Sequence, residues 1–152
     1  MKYYTADIVF SEIPGEIVLE FGITNCPFRC EGCHSPFLQS DIGKQLSFEI
    51  IKKYIEDYSP ALSCILISGG DRNPTEVEIL FRIIKNSFPN IKTAWYSGRE
   101  EIPDNIKIDN FDYIKLGPYK KDLGGLDSPT TNQKLYKVGN GKLEDITYKF
   151  WK

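Results

Sequence analysis

The chain has 152 residues, is 41% hydrophobic and 26% charged, and carries a net charge of −2. This length predicts a single domain spanning residues 1–152, and the composition is typical of a soluble globular protein with a core of its own. The near-neutral charge argues against nucleic acid or an anionic membrane as a partner. No apolar run approaches the ~20 residues of a membrane span, and no signal segment follows Lys2. We therefore expect a cytoplasmic protein.

The first half of the chain predicts two strands, a loop rich in cysteine and a helix. Residues 3–9 and 16–24 have strand character, with a turn at Pro14-Gly15 between them. The second strand runs directly into the cysteine loop. Ser47 is placed to cap a helix over residues 48–58, which has apolar residues at helical spacing and ends before Pro60.

The second half predicts alternating strands and a helix. Residues 63–68 form a short apolar run, as in a buried parallel strand. Thr75 and Glu78 have the spacing of a capping box for a helix over about 76–88, whose core face is Val77, Leu80, Phe81 and Ile84. Further strands are predicted over residues 91–96 and 113–116.

Alternating strands and helices predict an α/β fold with a mostly parallel sheet. A polar loop that contains glycine follows each of four strands: the cysteine loop, Gly69-Gly70-Asp71, Ser97-Gly98 and Gly117-Pro118. Ligands of such sheets bind beyond the carboxyl ends of the strands, so we expect these loops to meet at one edge. A complete eight-fold barrel takes about 250 residues. The expectation is therefore a partial, open (βα) barrel whose gap is closed by something else.

The strongest motif is Cys26-Pro-Phe-Arg-Cys30-Glu-Gly-Cys33, a C-x3-C-x2-C pattern. Its short spacings let three thiolates converge on one centre. A [4Fe–4S] cluster takes four ligands, usually cysteines, so three leave one iron open to an exogenous ligand. In a chain expected to be cytoplasmic, cysteines indicate metal or catalysis before disulfides.

Two alternatives accompany this interpretation. A structural Cys3His zinc site would use His34 as its fourth ligand, although adjacent Cys33 and His34 make an awkward tetrahedral geometry. Cys64 lies in an apolar strand, where we expect a buried thiol that behaves as a small hydrophobe. Were Cys64 instead a fourth ligand, the site would be an electron carrier.

The cysteine motif after the first long strand, with Ser68-Gly69-Gly70-Asp71 after the next, resembles the radical S-adenosylmethionine superfamily. Cys26 through Pro36 is similar to one branch, the anaerobic ribonucleotide reductase activating proteins. The segment from Gly124-Gly125 through Asn132-Gln133 to Tyr136 also resembles that branch. Gly32 and Asp71 depart from the general superfamily pattern, which commonly has an aromatic residue and Glu at these positions, but both suit the branch.

The resemblance implies a partial barrel of radical-S-adenosylmethionine type and a set of roles. Cys26, Cys30 and Cys33 would bind three irons, and the fourth iron would chelate the amino and carboxylate groups of S-adenosylmethionine. Gly69, Gly70 and Asp71 would meet the ammonium of that cofactor. The glycines allow a close backbone approach, and a carboxylate complements a cation.

The other polar residues near these loops are open to two interpretations. Tyr96, Ser97 and Gly98 would touch the cofactor's ribose or carboxylate, or form an ordinary strand-ending turn. His34 either lines the adenine pocket or lies at the loop surface. Asn132-Gln133 either faces the open iron or forms a polar turn before a last strand.

The resemblance also implies the reaction and the partners. A flavodoxin-type donor would supply an electron for cleavage of S-adenosylmethionine to a 5′-deoxyadenosyl radical. That radical would take a hydrogen from a glycine of anaerobic ribonucleotide reductase, which makes the protein a radical oxidoreductase, a glycyl-radical-enzyme activase. The alternatives are a small-molecule radical enzyme, similar to a deazapurine-forming synthase, and a zinc-dependent protein-binding module.

Overall fold

The computed structural model describes residues 1–152, and all of its strands belong to one eight-stranded sheet. The order across the sheet is β3-β1-β2-β4-β5-β6-β7-β8. The strands are β1 (Lys2–Val9), β2 (Val18–Ile23), β3 (Lys44–Gln45), β4 (Cys64–Ser68), β5 (Lys92–Tyr96), β6 (Tyr113–Leu116), β7 (Lys134–Gly139) and β8 (Lys142–Asp145). The helices are α1 (Phe48–Tyr58) and α2 (Pro74–Ser87), with short 3₁₀ helices at Pro36–Gln39, Ile108–Asn110 and Thr147–Phe150.

The predicted partial (βα) barrel with a mostly parallel sheet is wrong. Only β2, β4, β5 and β6 are mutually parallel. β1, β3, β7 and β8 join the sheet by antiparallel pairing. Only two α-helices are present, and the connection from β5 to β6 carries a single 3₁₀ turn instead of a helix. The molecule is therefore a strand-rich mixed sheet, parallel at its centre and antiparallel on both sides.

The hairpin of β7 and β8 explains part of this error. Its turn places Asn140 and Gly141 at φ values of 52° and 70°. Positive φ at two consecutive residues favours an Asn-Gly turn, which joins antiparallel strands. The end of the chain therefore folds back on itself and adds two antiparallel strands instead of another βα unit.

The two faces of the sheet are buried in different ways. Both helices cover one face, where Ile65 and Ile67 of β4 belong to the larger apolar cluster. The alternate residues Cys64 and Leu66 belong to a smaller cluster on the opposite face, together with Ile13 from a loop. Because both faces are covered, β4 is a nearly continuous apolar run.

Most of the predicted central elements are confirmed. Helix α1 has the predicted bounds, and the Ser47 hydroxyl accepts a hydrogen bond from the Ile50 amide. The predicted core face of α2 is buried. The predicted capping box is wrong, because α2 begins two residues earlier and the Asn73 side chain caps it by accepting from the Glu76 amide. No helix of the protein combines the length and apolar character that a membrane crossing requires.

Candidate functional site

The four polar loops that contain glycine lie at the same edge of the sheet, as predicted. They follow β2, β4, β5 and β6, which run in the same direction side by side. Their carboxyl ends therefore lie along one edge, which we call the loop edge. The opposite edge, where these four strands begin, is called the start edge.

Backbone hydrogen bonds define the course of the cysteine loop. The amide of Asn25 donates to Ser40, and the amide of Cys26 donates to Leu38, both at 3.0 Å. The loop thus folds back along the 3₁₀ helix at residues 36–39. The Arg29 guanidinium donates to the Cys26 carbonyl oxygen at 2.7 Å. The path of the loop is therefore set by the protein's own hydrogen bonds.

The three loop cysteines are all free and partly buried. Burial raises the pKa of the Cys26 thiol, although a hydrogen bond from the Phe28 backbone opposes the effect. Negative charge on Asp71, Cys33 or Cys30 also raises it, which places these groups in one electrostatic neighbourhood. Three thiols of this kind are the donors that an iron–sulfur cluster uses. The side chains do not form a metal-ligand set of three or more His, Cys, Asp or Glu residues.

Asp71 joins two of the predicted loops. Its side chain is only 2% exposed. The carboxylate accepts hydrogen bonds from the Ser97 hydroxyl at 2.5 Å and from the Gly98 amide at 3.1 Å. Arg99 adds its guanidinium, 3.6 Å from the carboxylate and bonded to the Asp71 carbonyl oxygen. The structure thus brings Asp71, Ser97 and Gly98 together.

Gly69 and Gly70 form a turn that other residues would strain. Their φ values are 103° and 81°, and a Cβ on Gly70 would lie 2.7 Å from a methyl of Val77. The Gly69 oxygen accepts from the Trp95 indole N–H at 2.7 Å, and the Gly70 oxygen accepts from the Asn73 amide at 3.1 Å. A carbonyl oxygen has two lone pairs, so each retains one for a ligand.

Gly98 links the loop after β5 to the cysteine loop. A Cβ built on Gly98 would lie 2.6 Å from the Phe28 ring. Only a residue without a side chain allows this approach. The packing of the cysteine loop therefore depends on a glycine that is 65 residues away from Cys33 in the sequence.

Tyr96 is directed away from the loop edge. Its hydroxyl donates to the backbone oxygen of Glu12, in the loop between β1 and β2. That loop precedes β2, whereas the cysteine loop follows it. Burial raises the pKa of Tyr96 well above its ordinary value. Its hydroxyl therefore contacts the start-edge loop rather than the predicted ligand loops.

Lys115 is a site residue that the sequence analysis missed. It is 9% exposed, and its ammonium donates to the carbonyl oxygens of Ser97 at 3.2 Å and Gly117 at 3.0 Å. Burial lowers the pKa of Lys115 to about 8, while negative charge on Asp71 and on the three loop cysteines opposes that effect. The sequence feature that could have identified it is a lysine in the otherwise uncharged strand β6.

The remaining candidate residues, at positions 132, 133 and 34, contact the loop after β6. Asn132 and Gln133 donate to the carbonyl oxygens of Pro118 and Gly117, so they fasten the loop after β6. The His34 ring packs beside Tyr119, with centroids 4.9 Å apart.

Cys64 lies apart from the loop edge. It is fully buried on the face of the sheet opposite α1 and α2. Burial raises the pKa of its thiol. As the first residue of β4 it lies at the start edge.

Neither a family model, nor a curated protein, nor a solved structure matches this chain.

Proposed function

We propose that this protein is a radical S-adenosylmethionine activating enzyme that depends on a [4Fe–4S] cluster. In this proposal it reductively cleaves S-adenosylmethionine and generates the glycyl radical of anaerobic ribonucleotide reductase. One observation carries the proposal: a C-x3-C-x2-C loop lies at the same sheet edge as the Asp71 and Ser97-Gly98 loops. The motif supplies the thiols, and the neighbouring loops supply polar groups for a second ligand.

Cys26, Cys30 and Cys33 would hold the cluster. They are three partly buried thiols on a loop whose backbone is fixed at Asn25 and Cys26. Cys64 lies at the start edge, where it is no candidate for a fourth ligand. When bound, a cluster with an open iron supplies an electron to the sulfonium of S-adenosylmethionine.

Gly69, Gly70 and Asp71 would bind the amino group of S-adenosylmethionine. The two glycine oxygens each retain a lone pair directed by a turn that only glycine adopts without strain. Asp71 adds a carboxylate, which attracts an ammonium through charge as well as hydrogen bonds. Ser97, Gly98 and Arg99 hold Asp71, so their proposed role is to position it.

The partners follow from the resemblance of residues 26–36 and 124–136 to the activating proteins. Anaerobic ribonucleotide reductase would present the glycine from which a hydrogen atom is removed. A flavodoxin-type protein would donate the electron. Low-potential chemistry and four free cysteines suit the cytoplasm, where thiols stay reduced.

The test is anaerobic mixing of the reconstituted protein with S-adenosylmethionine, a reductant and the glycyl-radical subunit of anaerobic ribonucleotide reductase. Electron paramagnetic resonance is expected to detect a glycyl doublet on the reductase. The Cys30→Ala protein, treated identically, is expected to give no doublet. Turnover of a small metabolite without any reductase, with no doublet when the reductase is present, would contradict the proposal and favour a small-molecule radical enzyme.

A further inference from the structure

The ammonium of Lys115 is buried and forms no ion pair, although the negative charge of nearby Asp71 favours its charged form. Other lysines near the core are paired, such as Lys85 with Asp112 and Lys92 with Glu16. Lys115 forms no ion pair with any carboxylate of the protein. Asp71 is already engaged by Arg99, so one carboxylate is shared between two cations, and a buried charge without a partner of its own is costly.

Two neutral carbonyl oxygens satisfy only part of the hydrogen-bonding capacity of the Lys115 ammonium. The ammonium has three N–H donors, and two are used by the carbonyl oxygens of Ser97 and Gly117. The Tyr96 ring lies to one side, with its centroid 5.7 Å from the nitrogen. These contacts orient the ammonium at the loop edge without forming an ion pair.

The position of Lys115 relative to the cysteine loop indicates what the counter-charge is. Ser97, which accepts one of its hydrogen bonds, precedes Gly98, and Gly98 packs against Phe28 between Cys26 and Cys30. Negative charge on Asp71, and then on each of the three cysteines, favours the charged form of Lys115 and so opposes the lowering of its pKa by burial. The Lys115 cation is therefore linked through Ser97 and Gly98 to the loop whose three thiols become anionic when they bind a metal.

We propose that Lys115 is the counter-charge of the metal–thiolate centre held by Cys26, Cys30 and Cys33, and that it makes reduction of that centre easier. This inference rests on the proposed function. Reduction adds one negative charge to a centre that already carries three thiolates. A nearby buried cation favours the reduced form, because charges interact strongly where water is excluded.

The experiment compares charge removal at two lysines. Lys115→Gln removes the buried charge and keeps an N–H donor for the carbonyl oxygens. Lys115→Arg keeps the charge. Lys121→Gln is the matched control, because Lys121 is exposed although its stem lies near Gly32 of the cysteine loop. All proteins are reconstituted anaerobically, assayed for iron and sulfide, and titrated electrochemically while electron paramagnetic resonance follows the reduced cluster.

In Lys115→Gln we expect the equilibrium constant for one-electron reduction to fall about tenfold, which corresponds to a potential about 59 mV more negative. For Lys115→Arg the equilibrium constant is expected to stay within about threefold of the wild type, because the charge is kept. The same is expected for Lys121→Gln, because water screens an exposed charge. A purely structural role for Lys115 would change cluster content or folding, and it would leave the potential of the loaded protein where it was.

Two outcomes separate this inference from the proposed function. A wild-type potential in a loaded Lys115→Gln protein would overturn the role of Lys115 while the proposed function stood. A wild-type chain that assembles no iron–sulfur cluster would overturn both. Lys115→Met provides a second neutral variant if Lys115→Gln does not fold. The same negative shift is expected in it, and an unchanged potential would equally overturn the inference.

Discussion

The two edges of the parallel strands each contain a buried charge and cysteine, but they differ in how that charge is satisfied. At the start edge, Glu16 accepts hydrogen bonds from Lys92, Ser63 and Tyr113. At the loop edge, Lys115 has only carbonyl oxygens as partners. Glu16 therefore has a complete set of partners within the chain, whereas the Lys115 ammonium uses two of its three N–H donors.

The cysteines at the two edges also differ, in how far they are buried. Cys64 at the start edge is fully buried among apolar side chains. The three loop cysteines are partly exposed on a loop that the backbone holds in place. A thiolate is the form that binds metal, and burial suppresses it by raising the thiol pKa, at Cys26 as well as at the completely buried Cys64. The comparison therefore supports the proposal of a metal centre at the loop edge and a structural role for the start edge.

The largest expected effect is at the loop cysteines. Replacing Cys26, Cys30 or Cys33 with Ala should abolish a stable cluster and all cleavage of S-adenosylmethionine, because two thiolates do not hold the cluster. The free energy of unfolding of the metal-free protein should change by less than about 1 kcal/mol, since these side chains are partly exposed. Iron and sulfide analysis with urea unfolding measures both. A cluster retained in all three variants would contradict the assignment.

The next largest effect is on stability at the start edge. Glu16→Ala should lower the free energy of unfolding by about 2 to 3 kcal/mol, because it leaves Ser63 and Tyr113 without their buried partner. The folded variant should still bind iron. Urea unfolding monitored by circular dichroism measures the loss, and Glu31→Ala, at an exposed acid, is the control.

The difference in stability between the wild type and Glu16→Ala should depend on pH. Burial alone would raise the pKa of Glu16, but hydrogen bonds from Lys92, Ser63 and Tyr113 outweigh burial and lower it. The ionised form therefore stabilises the fold above the unfolded-state pKa of about 4.3. That contribution is lost as the pH falls through the lower native pKa. The difference between wild type and Glu16→Ala should shrink below about pH 4.3, and a constant difference would contradict this account.

A smaller effect tests the link between two loops at the loop edge. Gly98→Ala places a methyl against the Phe28 ring, so the cysteine loop must shift. We expect a stability cost of about 1 to 2 kcal/mol and faster loss of iron to a chelator. Gly139→Ala is the matched control, since nothing lies within 4 Å of the added Cβ. Equal iron loss in the two variants would mean that Gly98 does not position the cysteine loop.

The smallest effect is expected at Cys64. Cys64→Ala removes one buried sulfur, so the free energy of unfolding should fall by about 1 kcal/mol. Iron content and the cluster spectrum should match the wild type. If iron binding were lost in this variant, Cys64 would be a ligand and the division between the two edges would be wrong.

Local patterns in the sequence predicted the central elements and the meeting of the four polar loops at one edge of the sheet. Ser47 and the helical spacing of apolar residues specify α1, and the apolar run of β4 specifies a strand buried on both faces. Strands in the same direction place their following loops together, so the cysteine loop and Asp71 were expected at one edge. These features depend on neighbouring residues and on a single rule of topology.

The antiparallel parts of the sheet and the role of Lys115 depend on contacts between distant residues. Strand β1 pairs with β2 in an antiparallel register with a shift between Tyr3 and Thr5, which neither segment reveals alone. The Asn140-Gly141 turn was a local signal that the sequence analysis did not use. Lys115 becomes informative only when its neighbours are known, because burial and missing partners are properties of the folded chain.

The central claim is that the three loop thiols hold a [4Fe–4S] cluster whose open iron binds S-adenosylmethionine. The most direct measurement is electron paramagnetic resonance of the anaerobically reduced protein before and after that cofactor is added. We predict about four irons and four sulfides per chain and a changed cluster spectrum on addition. A fully protein-ligated metal, such as one zinc per chain, or a cluster spectrum that does not change would contradict the claim.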